Sequence, residues 1–343
     1  MSTVNTTEYK DEIAELLADF TANVSDTIDV NIREAAKRAL SDSIAVGLGA
    51  LDHPASHIAR KFVTPFSTQH GSVIWGTGMR AHPDLAGFVN GSLLRCYDYN
   101  DFYVGDRNSG HPSDMVAGLI SVAEWVQASG EELLVSLAVG YEMVGAIFDG
   151  YSTAPGGWDY TNLTGIGAVA AVGRILGLDA GQAREAFGIN ATQHFASDEV
   201  ESCELNSRGD LTLWKRFNGT DAVRNAITSC FLAKAGVEAP VRPFTGKNGF
   251  NQKLANDHDP LPILSERLDK SKKLSRVAET YMKLWPVGSM AQSAIRAALE
   301  ARSKVNDTNR IREVRVFSEE GAYEHFNEMR ARWIMEITGD CIV

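Results

Sequence analysis

GIGAVAAVGRIL, residues 165–176, decides the fold class. Only Arg174 interrupts a run of small and apolar residues, so a helix over this stretch is apolar almost all round. Such a helix belongs inside a large helical body. Its Ala and Gly residues permit close helix–helix approach. Gly177 suits the end of this helix. Asp179, followed three residues later by Gln182, has the capping-box pattern that starts the next one.

Outward from here the helical period repeats. Ile13, Leu16, Leu17 and Phe20 share a face over 8–24, as do Ile32, Ala36, Leu40 and Ile44 over 31–51. Further helices are predicted over 83–97, 112–128, 131–148, 164–176, 180–187 and 213–235. The fold class predicted is mostly α, with a large all-helical domain over 1–272. After about Pro260 the character changes. AETYMKLW (278–285) reads as extended, a helix follows over 290–304, and IREVRVF (311–317) alternates like a strand. This order predicts a smaller α+β domain over 273–343. A sheet needs more strands than this segment offers, and FNEMRARWIMEITGDCIV (326–343) reads as a C-terminally shortened end.

Length and charge narrow the function. A chain of 343 residues is long for one core. A net charge of -11 argues against a nucleic-acid partner and against an anionic membrane surface. A polyanion site here needs basic groups of its own. Cys96, Cys203, Cys230 and Cys341 form no CxxC pair and read as reduced thiols of a cytoplasmic protein. The histidines show no HExxH or HxH spacing, so no metal is expected. The stretch MSTVNTTEYKDEIAELL is not a signal peptide, and no apolar run reaches membrane-spanning length. Gly165, Gly167 and Ala170 match G-x-G-x-x-A, but no strand precedes them. Helix packing explains them better than a dinucleotide site.

The stretch richest in chemistry is NGSLLRCYDYNDFYVGDRNSGHPSD, residues 90–114. A helix ends near Tyr97, and Asp98, Asn100 and Asp101 fall in a polar turn. His111 precedes Pro112, which opens the next helix, with Ser113 and Asp114 in its first turn. The positive end of a helix dipole favours neutral imidazole, which a general base requires. Asp98 can orient that ring or raise its pKa. The cluster can equally be a set of helix caps around a buried histidine.

The pattern N-G-x-L-x-x-x-x-D-x-N-D followed by G-H-P-S-D resembles the signature of the MmgE/PrpD family, closest to its 2-methylcitrate dehydratase branch. GSVIWGTGMRAHPDLAGFVNG (71–91), LTLWKRFNGTDAVRNAITSCFLAKAG (211–236) and TYMKLWPVGSMAQSAIRAALEA (280–301) are similar to further elements of that family, in order along the chain. The resemblance implies a cofactor-free lyase that adds or removes water on a citrate-like polycarboxylate in propionate catabolism. It implies Asp98 and His111 as the acid/base pair. It places Lys215 and Lys283 against substrate carboxylates, with Asn100, Asp101, Ser113 and Asp159 also at the substrate. A homodimer through the helical domain is implied too. Phe102 stands where much of the family has Thr, and Met290 where a His is common. Asp159 stands where the decarboxylase-like branch has His, which favours the dehydratase. The alternatives are a cis-aconitate-type decarboxylase or an iminodisuccinate-type epimerase on the same fold. From another class, a shortened relative that only binds carboxylates or oligomerises is the alternative.

Overall fold

The computed structural model describes residues 10–200, 212–318 and 322–323. Its elements are almost all helices: α1 (Glu12–Asn23), α2 (Val30–Gly49), α3 (Pro54–Val63), α4 (Pro83–Leu94), α5 (Val116–Val126), α6 (Gly130–Gly150), α7 (Thr161–Ile175), α8 (Ala180–Gln193) and α9 (Asn218–Lys234). The shorter α10 (Asn251–Leu254), α11 (Leu261–Arg267) and α12 (Arg276–Glu279) follow, and then α13 (Gln292–Arg302). Two short antiparallel hairpins complete it. β1 (Ser72–Val73) pairs with β2 (Arg80–Ala81), and β3 (Tyr103–Val104) pairs with β4 (Ser109–Gly110). The fold is mostly α, as the sequence predicts.

Local chemistry fixes the helix starts. Asp179 and Gln182 form the predicted capping box, and Gly177 takes the left-handed conformation at φ 64°. Ser129 and Glu132 make a second capping box at α6. The Asp11 carboxylate caps α1 through Ala14 N and also accepts Phe244 N (2.8 Å) and Thr245 N (3.0 Å), tying the first helix to a loop far along the chain.

The core centres on α6 and α7. Residues 161–173 of α7 are all buried. A Cβ on Gly167 would lie 2.0 Å from Val144 Cγ2, so the pseudo-dinucleotide glycine is there for backbone contact between these helices. Leu163, Ile166, Val169 and Val172 are fully buried, each contributing about 1.5–3 kcal/mol. Among the described residues α6 alone is long and apolar enough to cross a membrane, and it is enclosed by protein.

Several expectations are refined. The segment 213–235 begins as a 3-10 turn, Leu213–Arg216, before α9. The segment 112–128 begins likewise with Pro112–Met115. Helix α3 escaped the sequence reading, although His53 caps it through Ala55 N at 3.1 Å. The stretch 278–285 completes α12 and then, among the described residues, pairs only at Tyr281, whose N–H and C=O exchange bonds with Phe102 at 2.8 Å each.

The predicted strand over 311–317 does not form. Val314 is 75% and Phe317 92% exposed, and no neighbouring strand among the described residues supplies the hydrogen bonds that an extended segment needs. Residues 326–343, the extreme N-terminus, Cys203 and Cys341 lie outside the described residues. Cys96 and Cys230 are buried thiols.

Candidate active site

The hairpin β3–β4 folds the chain back on itself, so that residues 98–102 and 111–114 lie side by side. Asp98 follows the end of α4 in the left-handed region, at φ 46°, a conformation that Asp tolerates better than most side chains. Its carboxylate Oδ1 lies 2.7 Å from Lys283 Nζ, which also donates to the Asp98 carbonyl at 2.7 Å. Lys283 comes from beyond α12 and is only 6% exposed. Two residues far apart in sequence thus form a nearly buried ion pair.

His111 stands beside this pair. Its Nδ1 lies 2.5 Å from the Asp101 carbonyl oxygen. A carbonyl only accepts, so Nδ1 carries the proton and Nε2 presents its lone pair. Nε2 sits 3.9 Å from Asp98 Oδ1, beyond a hydrogen bond but within strong electrostatic reach. The Asp101 backbone, not Asp98, orients the ring. Burial pushes the imidazole pKa well below its usual value, and the cations of Arg95 and Lys283 push it the same way. The Asp98 carboxylate opposes them without prevailing, so the ring is neutral near pH 7. For Asp98 itself, burial alone would raise the pKa. Lys283 foremost, with His111, Arg95 and Lys215, outweighs burial and holds it far below the usual carboxylate range.

Asn100, Asp101 and Ser113 lie beneath this surface and are fully buried. Asp101 Oδ1 accepts Ser113 N at 3.0 Å, and Oδ2 accepts the Tyr141 hydroxyl at 2.8 Å. Asn100 Nδ2 donates to Ser113 Oγ, and its Oδ1 accepts from Arg95, both at 3.3 Å. Burial raises the Asp101 carboxyl to about 6, against the opposing bonds from Ser113 and Tyr141. These residues brace the turn rather than line an open surface.

The 3-10 turn before α9 carries Lys215, half-buried, and its ammonium helps to depress the Asp98 carboxyl. Asp159 is fully buried. Its Oδ1 accepts Thr161 N at 2.8 Å, which shapes the start of α7. Its neighbour Tyr160 turns into the cluster: the hydroxyl donates to Asp114 Oδ2 at 2.8 Å and the ring packs edge-on to His111 at 5.6 Å. The structure therefore brings Asp98, His111, Lys283 and Lys215 together above a brace of Asn100, Asp101 and Ser113. It gives Asp159 a helix-start role one residue away.

Sequence reading missed Arg95, Tyr141 and Tyr160. Arg95 is 2% exposed, with Nε 3.6 Å from Asp114 Oδ1. An arginine closing the otherwise apolar face of α4, three residues before Asp98, was the available signal. Nothing local marks the two tyrosines. Phe102 packs its ring 5.4 Å from His111 and its backbone on Tyr281. Met290 is 42% exposed. Among the described residues no group of His, Cys, Asp and Glu has the arrangement of a metal site.

The MmgE/PrpD N-terminal domain matches residues 14–262, most of the helical body and the whole turn from Asp98 to His111. The chain belongs to the MmgE/PrpD family. Among similar family members, the 2-methylcitrate dehydratase of Escherichia coli K12 is 28% identical over 67% of this chain and 48% of its own length. That of Cupriavidus necator is 30% identical over 42% of this chain and 32% of its own. The cis-aconitate decarboxylase of Homo sapiens is 26% identical over 65% and 46%. The chain thus spans about half the length of the curated MmgE/PrpD relatives it matches or less. Both reactions in these names are carried by lyase-type members.

Proposed function

We propose that this protein is a hydro-lyase that removes or adds water on a citrate-like polycarboxylate. The observation that carries the reading is the meeting of a neutral imidazole with an ionised Asp98–Lys283 pair, within range of Lys215. Nε2 of His111 takes the proton from the carbon next to a substrate carboxylate. The imidazolium formed is stabilised by Asp98. Charge delocalised onto that carboxylate is stabilised by Lys215 and Lys283. His111 then returns its proton to the departing hydroxyl, so water leaves and a carbon–carbon double bond remains. The sequence of steps balances without an added oxidant or reductant.

The two lysines also explain how an acidic protein takes an anion. At a few ångströms local charges outweigh the screened field of the distant ones. The test is incubation with 2-methylcitrate and related acids while following the absorbance of an unsaturated product. Turnover that falls steeply in His111→Ala is expected. Failure to convert any such acid, or full activity in His111→Ala, overturns the reading. Release of carbon dioxide instead of water assigns the decarboxylase reaction.

A further inference from the structure

Asp149 lies in the last turn of α6 and is 2% exposed. Local chemistry disfavours a carboxylate there. The C-terminal end of a helix carries the negative pole of its dipole, and burial strips water from the charge. The donors that Asp149 gathers compensate. Its Oδ1 accepts Asp106 N at 3.0 Å, in the turn between β3 and β4. The adjacent Phe148 carbonyl accepts Arg107 N at 3.1 Å and Asn108 N at 2.9 Å. The end of α6 thus grips the tip of the hairpin that presents His111.

The second oxygen holds a distant part of the chain. Oδ2 accepts Arg276 Nη2 at 3.0 Å and Arg267 Nε at 2.7 Å. Arg276 belongs to α12, and the segment leaving α12 delivers Lys283. The same guanidinium donates to the Tyr103 hydroxyl on β3, and Arg267 Nη2 donates to Asp106 Oδ2 at 3.0 Å. Among the described residues, the bonds of Asp149 go to the supports of the charged cluster and not to the cluster itself. One carboxylate therefore joins the hairpin that carries the imidazole to the helix that leads to the ammonium.

We infer that Asp149 is a positioning residue, which sets Lys283 beside His111 by clasping the β3–β4 hairpin to α12. Its part in catalysis rests on the lyase reading, but the placement of Lys283 beside the ring does not. The experiment therefore reads the ring, by nitrogen-15 NMR titration of His111 in the full chain. Asp149→Asn keeps an oxygen for Asp106 N and turns an amide NH2 group toward the two guanidinium groups, which releases α12. Lys283 then withdraws from the imidazole, and the His111 midpoint rises by about one pH unit. Loss of the Asp149 charge by itself moves the midpoint down, because a nearby anion favours the imidazolium, so the sign separates the two effects. In a Lys283→Met background the same substitution gives no rise. If Asp149→Asn fails to fold, Arg276→Gln, which leaves Asp149 paired with Arg267, is compared in the same two backgrounds with the same expectation. Under the lyase reading, KM for a polycarboxylate also rises roughly tenfold while kcat falls less. Absence of turnover in the unaltered chain overturns that reading and leaves the NMR result to decide this one. A midpoint that falls or stays in place in Asp149→Asn, or a rise that is equal with and without Lys283, overturns the inference.

Discussion

His111 carries its proton on Nδ1 because the group that Nδ1 faces, the Asp101 carbonyl, accepts. That leaves Nε2 as the base, and its removal in His111→Ala should lower turnover by roughly 10²–10⁴-fold, the usual contribution of a positioned general base. The ring's titration is a sharper probe than the rate. Burial, Arg95 and Lys283 all disfavour the imidazolium. Lys283→Met removes one of those cations, so the His111 pKa should rise while the Nδ1–H tautomer persists. Nitrogen-15 NMR of the imidazole reads both. An unchanged midpoint in Lys283→Met places the lysine elsewhere than beside this ring.

At the scale of elements, the cluster depends on how α12 is seated, because the segment leaving α12 delivers Lys283. The Glu142 carboxylate of α6 accepts Ser275 N (2.7 Å) and Arg276 N (3.1 Å), filling the donors at the start of α12. Arg276 then bonds Asp149 Oδ2 at 3.0 Å, and Arg267 of α11 shares that oxygen at 2.7 Å. Glu142→Ala should cost about 0.5–2 kcal/mol, in the manner of a lost helix cap. It should also raise KM for a polycarboxylate more than it lowers kcat, since Lys283 loses its seat but His111 does not. Hydrogen exchange over 276–284 should speed up in the variant, and unchanged protection there would show that α12 is held by other contacts. The α6–α7 contact makes a second prediction. Gly167→Ala forces a methyl group against Val144 and should destabilise the protein by about 1–3 kcal/mol, read as a lower urea midpoint.

Across the whole molecule, two buried carboxyls couple stability to pH with opposite signs. Asp101 holds its proton up to about 6 when folded, against 3.8 ordinarily. Between those values the folded state binds the extra proton, so the stability linked to it is present in acid and is lost as pH rises through about 6. Asp98 has a depressed pKa, so its contribution is present above the ordinary value and is lost as pH falls. Asp101→Asn removes the first effect. Its melting temperature relative to the unaltered chain should therefore climb between pH 4 and pH 7. A difference that stays constant over that range means that Asp101 titrates as an ordinary carboxyl.

The sequence by itself determined the helical body and the location of the polar turn. Apolar residues at helical spacing, the Asp179 capping box and Gly177 are local signals, and short-range backbone chemistry answers them wherever the chain goes. Asp98 and His111 were legible for the same reason, being held near one another by a single hairpin. Only the tertiary structure decided that Lys283, 185 residues from Asp98, completes an ion pair with it, and that Arg95, Tyr141 and Tyr160 surround the site. It also decided that Asn100, Asp101 and Ser113 are bracing residues and that 311–317 pairs with no strand among the described residues. Long-range pairing and burial set these outcomes. A lysine's neighbours, a carboxyl's desolvation and a strand's partner are properties of the packed chain, which no local pattern encodes.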